Sequence, residues 1–278
     1  MRLWPILTYV LMTASAQAQE PVRLGVFGMV SSIVPLVVAG RQIEEADRIP
    51  VISILGAKEA IAVGDTLAVV VKQGDEGLVA ERIFEIYPVV GPVREVSGDT
   101  ATIMGSFVHI PPDAEIRVGQ WLAVSGFWSG TKAITSNFRS FGGGIAQLVG
   151  AVDQEGITVG GSLISNTKAP LDRYSDDVWV FSGSPLGDGL QVRLMSKGVF
   201  GRQVDIAVWE GYASEPIASQ TYMIHGSSVI GTARDPQMPA AGTLIARCVR
   251  QGRVVDVAPE GMEAAFEALA CARHTPAD

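Results

Sequence analysis

The stretch VGQWLAVSG, from Val118 to Gly126, alternates apolar with small or polar side chains between two glycines. A period of two is typical of a β-strand with one buried face, and glycine marks the turns at its ends. The stretch has a counterpart in VGDTLAV, from Val63 to Val69, and a more distant one in DDVWVFSG, from Asp176 to Gly183. Three copies of one strand pattern indicate a repeated β unit.

Other parts of the unit also recur along the chain. A glycine interrupts an apolar strand at Gly28, Gly91 and Gly150, and these glycines are 63 and 59 residues apart. Each is followed by a short strand that ends on glycine and, later, by a strand that closes the copy. The short strands are Leu36–Gly40, Ala101–Gly105 and Ile157–Gly160, and the closing strands are Gly77–Ile83, Gly130–Thr135 and Gly189–Leu194. We predict four to six short strands in each copy.

The alignment of the copies also predicts which side chains face inward. One set of aligned positions is apolar in every copy and should point into a core: Leu67 and Val69, Leu122 and Val124, Trp179 and Phe181. A slip of one residue would turn this set outward. The opposite set is more mixed and should face either solvent or a neighbouring copy: Thr66 and Ala68, Trp121 and Ala123, Val178 and Val180.

These motifs resemble a bacterial exported domain family of unknown function, which occurs singly or in tandem. Its signature is similar to G-x-V, an apolar strand ending on glycine, V-G-x-x-L-x-V-x-G, and a turn with A-x-x-I. The resemblance covers roughly residues 25 to 200 and is strongest from Gly91 to Phe138. It implies small β-barrels that resemble an OB fold, and it implies no activity.

The C-terminal part, residues 202–278, has a different pattern. Strands are predicted at Gln203–Trp209, Gln220–His225, Leu244–Arg250 and Arg253–Ala258, and a helix at Glu260–Arg273. A fourth, degenerate copy capped by this helix is one interpretation. The predicted fold is therefore mainly β, with three tandem OB-like units, a β-rich C-terminal region and one terminal helix. The predicted bounds are 1–18 for a signal peptide, 19–89, 90–147 and 148–201 for the three units, and 202–278 for the C-terminal region.

The first eighteen residues have the pattern of a secretory signal. Arg2 supplies the positive charge, the apolar stretch Leu3–Met12 follows, and small residues at Ala14–Ala18 suit cleavage after Ala18. The apolar stretch is shorter than the roughly 20 residues that a spanning helix needs. We therefore expect a periplasmic or secreted protein with no integral membrane insertion of the mature chain; the alternative is an uncleaved anchor.

Composition excludes some functions and suggests a covalent link. A net charge of −8 argues against nucleic acid as a partner, because a phosphate backbone requires a basic surface. The chain has two cysteines, Cys248 and Cys271, and an even pair in an exported protein is compatible with one structural disulfide. There is no C-x-x-C motif, so neither redox catalysis nor a cysteine zinc site is indicated.

Catalytic motifs are scarce. The sequence has no G-x-S-x-G, phosphate-binding loop, H-E-x-x-H or dinucleotide fingerprint, so no catalytic residue, metal or cofactor is predicted. His225, followed by Ser227 and Ser228 and with Asp235 nearby, offers the groups of a hydrolase. The same stretch is also typical of a turn around Gly226.

Two tryptophans give the best binding hypothesis. Trp121 lies on the face opposite the predicted core, and Trp128 follows just beyond the next turn, in the segment Gly126–Gly130. Exposed tryptophans on a β-sheet can stack on sugars or anchor a protein contact. The alternative is that both tryptophans pack between adjacent units.

We therefore predict a non-enzymatic, exported binding or scaffold protein of the bacterial cell envelope. Its partner would be an unidentified protein or a cell-envelope polymer. One alternative is an envelope hydrolase that uses His225, Ser227 or Ser228, and Asp235. Another is a purely structural spacer whose units set a length.

Overall fold

The structure is a computed structural model that describes residues 22–56, 60–75, 77–153, 158–165, 177–201, 203–232 and 238–271. These residues form two large β-sheets, one short α-helix and one 3-10 turn. The fold is thus mainly β with a terminal helix, as predicted. The predicted signal peptide and Asp235 lie outside the described residues.

The first unit, residues 24–85, contains six strands and the 3-10 turn Ala46–Arg48. The strands are β1 (Leu24–Ile33), β2 (Leu36–Val38), β3 (Arg41–Glu44), β4 (Val51–Ile52), β5 (Thr66–Gln73) and β6 (Leu78–Glu85). Five of them pair in a circuit, β1–β2–β3–β6–β5, which closes because β5 also pairs with β1. Within this circuit only the pair β3–β6 is parallel. Strand β4 is not part of the circuit and also pairs with β6 in parallel.

The second unit, residues 89–141, is a closed barrel of five strands. They are β7 (Val89–Ser97), β8 (Thr100–Ile103), β9 (Ser106–His109), β10 (Trp121–Ser129) and β11 (Lys132–Phe141). The circuit runs β7–β8–β9–β11–β10 and returns to β7, with β9 and β11 parallel. The strand order and directions therefore match those of the first unit.

The third unit, residues 146–197, has strands β12 (Ala146–Gly150), β13 (Thr158–Val159), β14 (Ser162–Ser165), β15 (Trp179–Leu186) and β16 (Gly189–Lys197). The fourth unit, residues 206–254, has strands β17 (Ile206–Tyr212), β18 (Thr221–Met223), β19 (Ile230–Thr232), β20 (Leu244–Arg250) and β21 (Arg253–Val254). The paired strands follow the same order, β12–β15–β16–β14–β13 and β17–β20–β21–β19–β18, with β14–β16 and β19–β21 parallel. Among the described residues no pairing joins β12 to β13 or β17 to β18, so these two circuits stay open. That the units are tandem OB-like repeats stays a prediction.

The recurring glycines have a common structural reason. A Cβ at Gly28 would lie 2.5 Å from the Cβ of Ala39, and a Cβ at Gly91 would lie 2.9 Å from the sulfur of Met104. Ala39 and Met104 both sit at the turn of the following hairpin, each with a φ of 49°. The glycine therefore lets this hairpin fold back against the first strand of its own unit.

The inward-facing set is confirmed. Leu67 and Val69 lie in the core of the first unit, and Leu122 and Val124 in that of the second. Phe181 lies in the same core as Leu122, and Trp179 packs against it. The period-two alternation thus assigned these faces correctly.

Most of the opposite set faces a neighbouring unit. Ala68 and Val178 belong to a separate core that lies between units, and Val180 packs against that core. It also contains the rings Phe27, Phe127 and Trp209. Of the two alternatives, contact with a neighbour therefore holds for these positions.

Two strand pairs join the units. β1 runs parallel to β17, which places the first unit beside the fourth in one sheet. β7 pairs with β12 and joins the second unit to the third. The apolar core between units therefore brings together residues from both ends of the described chain.

The C-terminal helix is shorter than predicted. Helix α1 spans Glu263–Ala268, against a predicted Glu260–Arg273 whose last two residues lie outside the description. Gly261 before it and Ala270 after it have positive φ values of 76° and 49°, which are incompatible with an α-helix.

The strand bounds of the fourth unit are predicted unevenly. β20 has the predicted bounds Leu244–Arg250, whereas β17 begins at Ile206 rather than at Gln203 and continues to Tyr212. The predicted strand Arg253–Ala258 is paired only over Arg253–Val254. The alternation of apolar and polar residues is weak at the ends of these strands, so the sequence pattern predicts their bounds poorly.

Helix α1 closes one end of the first unit. Phe266 and Leu269 are buried in that unit's core. The Arg41 guanidinium of β3 donates from Nε to the Leu269 carbonyl oxygen at 2.5 Å. A cation at the end of a short helix stabilises its unpaired carbonyl groups.

A disulfide fixes this helix to the fourth unit. Cys248 of β20 is bonded to Cys271, with 5.6 Å between their Cα atoms and a sequence separation of 23. Both sulfurs are buried in the core of the first unit, so the bond lies where the first unit, the fourth unit and the helix meet.

Replacing both cysteines with serine should lower the free energy of unfolding by about 3 kcal/mol, because the unfolded chain loses a closed loop. Urea denaturation followed by far-ultraviolet circular dichroism measures this. Wild-type protein treated with a reductant is the matched control and should show the same loss. An unchanged midpoint in both samples would contradict a stabilising role for the bond.

Candidate functional site

Trp128 joins three units and is not exposed. It is 4% exposed, and its indole Nε1 donates to the Val149 carbonyl oxygen at 2.7 Å. Cβ atoms placed at Gly160 and Gly226 would each come within 2.1 Å of the indole ring, so the ring contacts the third and fourth units. The expectation that the Trp128 side chain is exposed and available to a ligand is wrong. Its ring packs between units, which was the alternative interpretation.

Trp121 is half-buried at the start of the same strand. Its ring meets that of Phe141 edge to face, with 5.7 Å between centroids, and its backbone is in register with Pro92. One side of the ring thus packs against the second unit, and part of the Trp121 side chain remains exposed to solvent. The ligand-binding hypothesis for Trp121 stays a prediction.

The hydroxyl groups of the two serines near His225 hydrogen-bond to backbone groups. The Ser227 hydroxyl donates to the Ile224 carbonyl at 2.7 Å and accepts the Val229 N–H at 3.1 Å. The Ser228 hydroxyl donates to the Asp177 carbonyl at 3.3 Å. Within the described residues the structure does not join His225 to either hydroxyl, and Asp235 is outside the description. The turn interpretation fits this stretch.

His225 instead lines a small cavity of about 30 Å³ where all four units meet. Glu210 of β17 lines the same cavity and accepts the Met29 N–H at 2.7 Å. Burial raises the pKa of Glu210 and lowers the pKa of His225, so this interior favours the neutral form of each group. Sequence analysis missed Glu210, although an acid within the apolar strand IAVWEGY is a signal for it.

A second polar cluster lies between the first and second units. Arg139 of β11 contacts Asp65 at 2.5 Å and Glu85 at 3.3 Å, and both carboxylates are almost fully buried. Asn137 also donates to Asp65, at 2.8 Å. Beside them, burial and the Glu85 carboxylate raise the pKa of Tyr87 far above its ordinary value. The cluster fixes one unit against the other.

A cleft of about 560 Å³ lies between the third and fourth units. Its floor is apolar and includes Val178, Val199, Phe200, Trp209 and Val249. Its polar lining consists of Asp177, Lys197, Gln203, Ser228 and Gln251. Clefts of roughly 300 to 1,000 Å³ with an apolar lining and a few polar groups are typical of small-molecule sites.

The cleft and the central cavity share a wall. Val178, Val199 and Trp209 line both spaces. Trp209 is held by two rings: it lies 4.3 Å from Phe27 and 6.2 Å from Phe200, measured between centroids. The floor of the cleft is therefore rigidly packed from behind.

Within the described residues, no cluster of three or more histidine, cysteine, aspartate or glutamate side chains is placed to hold a metal ion. Among the helices of that same part of the chain, none has the length and hydropathy to cross a membrane. No protein-family model, no curated protein and no solved structure matches this chain.

Proposed function

We propose that this chain is a non-enzymatic binding or scaffold protein exported to the bacterial cell envelope. The cleft between the third and fourth units carries the proposal, because it combines ligand-sized volume with an apolar floor and a polar lining. Export rests on the sequence pattern of residues 1–18. The partner is a cell-envelope polymer or a protein that inserts a group into the cleft.

Two observations favour binding over the alternatives. The hydrolase hypothesis requires a serine hydroxyl that is available to His225, whereas the hydroxyls of Ser227 and Ser228 donate to backbone carbonyls. The spacer hypothesis requires no cleft. A cleft whose floor is packed from behind by Phe27 is preorganised for a ligand.

The proposal is tested by blocking the cleft. Gln203 is exposed on its lining, so Gln203→Trp should fill the opening without disturbing a core. Residues 19–278 are purified and screened by thermal shift with peptidoglycan fragments, envelope polysaccharides and envelope extract. A ligand at 100 times its Kd should add about 2.7 kcal/mol to the wild type, and Gln203→Trp should abolish that gain.

Gln73→Trp is the matched control, because Gln73 is an exposed glutamine at the end of β5 in the first unit. It should respond to the ligand like the wild type. A shift that survives Gln203→Trp, or that only Trp121→Ala abolishes, would contradict binding in the cleft. A panel that shifts no variant and no wild type would also contradict it.

A further inference from the structure

The two oppositely charged side chains among the described lining residues of the cleft lie next to each other. Among its described lining residues, only Lys197 and Asp177 have basic or acidic side chains, and they form an ion pair. The Asp177 side chain is 32% exposed and that of Lys197 60%. A charged ligand would have to enter an apolar space, which costs free energy, or compete with this partly exposed pair for one of its two members.

The floor offers apolar contact without an open polar group. Phe200 and Trp209 meet edge to face at 78° and are 5% and 9% exposed. Val178, Val199 and Val249 complete the surface. A rigid ring system or a branched aliphatic group fits such a floor, because it buries apolar area at little cost in conformational entropy.

The remaining polar groups of the lining are amides. Gln203 and Gln251 are both exposed, and each side chain carries a donor and an acceptor. The Ser228 hydroxyl is already used by the Asp177 carbonyl. Amides match an uncharged edge of the ligand, such as a carbonyl, amide or hydroxyl group.

We infer that the cleft selects an uncharged ligand with a compact ring or branched apolar body and one hydrogen-bonding edge. This inference rests on the proposed function and names the ligand class of the same site. The paired Lys197 and Asp177 act as the selectivity element, since they leave a cationic or anionic ligand without a partner.

The test uses two fluorescent probes that share one skeleton. N-phenyl-naphthylamine is uncharged, and anilinonaphthalene sulfonate adds an anionic group to the same rings. With residues 19–278, the uncharged probe should bind with saturable emission at one site per chain. The sulfonate should bind about tenfold more weakly, because its charge opposes entry.

Three variants test where the uncharged probe binds and why the sulfonate binds more weakly. Gln203→Trp should weaken the uncharged probe about tenfold, and Gln73→Trp should leave it unchanged. Asp177→Asn keeps the shape of the side chain but leaves Lys197 without its anion. It should therefore strengthen sulfonate binding by about threefold and leave the uncharged probe unchanged.

The possible failures are distinct. If the sulfonate binds as tightly as the uncharged probe and Gln203→Trp weakens both, the cleft is a site but the inferred selectivity is wrong. If Asp177→Asn leaves sulfonate binding unchanged, the ion pair is not the selectivity element. If neither probe binds, the inferred ligand class is wrong, and the thermal-shift screen decides separately whether the cleft binds an envelope polymer or protein. If the probes bind but Gln203→Trp weakens neither, the cleft is not their site and the proposed function loses its support.

Discussion

Replacing Trp128 with alanine should lower the free energy of unfolding by about 3 to 5 kcal/mol, the usual cost of removing a large buried ring. The indole ring touches backbone of the third and fourth units and donates to Val149. The substitution therefore opens a cavity at a three-unit junction and leaves the Val149 carbonyl without its donor. Urea denaturation gives the change in free energy directly.

Trp121→Ala is the matched control for Trp128→Ala. Trp121 belongs to the same strand but is only half-buried, so its loss should cost about 1 to 2 kcal/mol. Trp128→Phe should fall between the two, since it keeps a ring but not the indole N–H. Equal and small losses for both alanine variants would show that Trp128 does not hold the units together.

The Arg139→Met variant should be destabilised by about 3 to 5 kcal/mol, because it leaves buried carboxylates without their cation. Asp65 belongs to the first unit and Arg139 to the second, so the loss should appear as weaker coupling between these units. Differential scanning calorimetry measures both the lower Tm and any splitting of the transition.

Two comparisons control for the loss of an arginine. Arg82→Met removes an exposed guanidinium that lies 5.2 Å from the Phe84 ring, and it should cost about 0.5 to 1 kcal/mol. Adding Asp65→Asn and Glu85→Gln to Arg139→Met should recover much of the stability, because no buried charge then lacks a partner. A triple variant as unstable as Arg139→Met would refute the electrostatic explanation.

Local pattern predicted the strands and their inner faces well. Alternation in VGQWLAVSG placed Leu122 and Val124 inward because the pleat has a strict period of two. Continuing that alternation along β10 also places Trp128 inward. Its burial was thus encoded in the sequence, and the error came from treating the residues after Gly126 as a turn.

The contacts between units could not be predicted from the sequence. Asp65 and Arg139 are separated by 74 residues, and no sequence motif indicates that the two side chains are in contact. The parallel pair of β1 and β17 joins segments that are 182 residues apart at Leu24 and Ile206. The cleft forms only when such contacts assemble the units, so the sequence pattern gave no indication that its lining residues share one site.

The fourth unit was partly visible in the sequence. In VWEGY, Gly211 interrupts a strand as Gly28 does, and a Cβ there would lie 2.5 Å from Ile224. The surrounding motifs are too degenerate to set the strand bounds.

The most direct test of binding in the cleft follows the tryptophan indole N–H signals by nuclear magnetic resonance. The chain has five tryptophans, of which Trp4 precedes the predicted cleavage site. Titration of nitrogen-labelled residues 19–278 with N-phenyl-naphthylamine should shift the Trp209 signal and leave the Trp121 signal in place. A shift of Trp121 with no change at Trp209 would contradict the account.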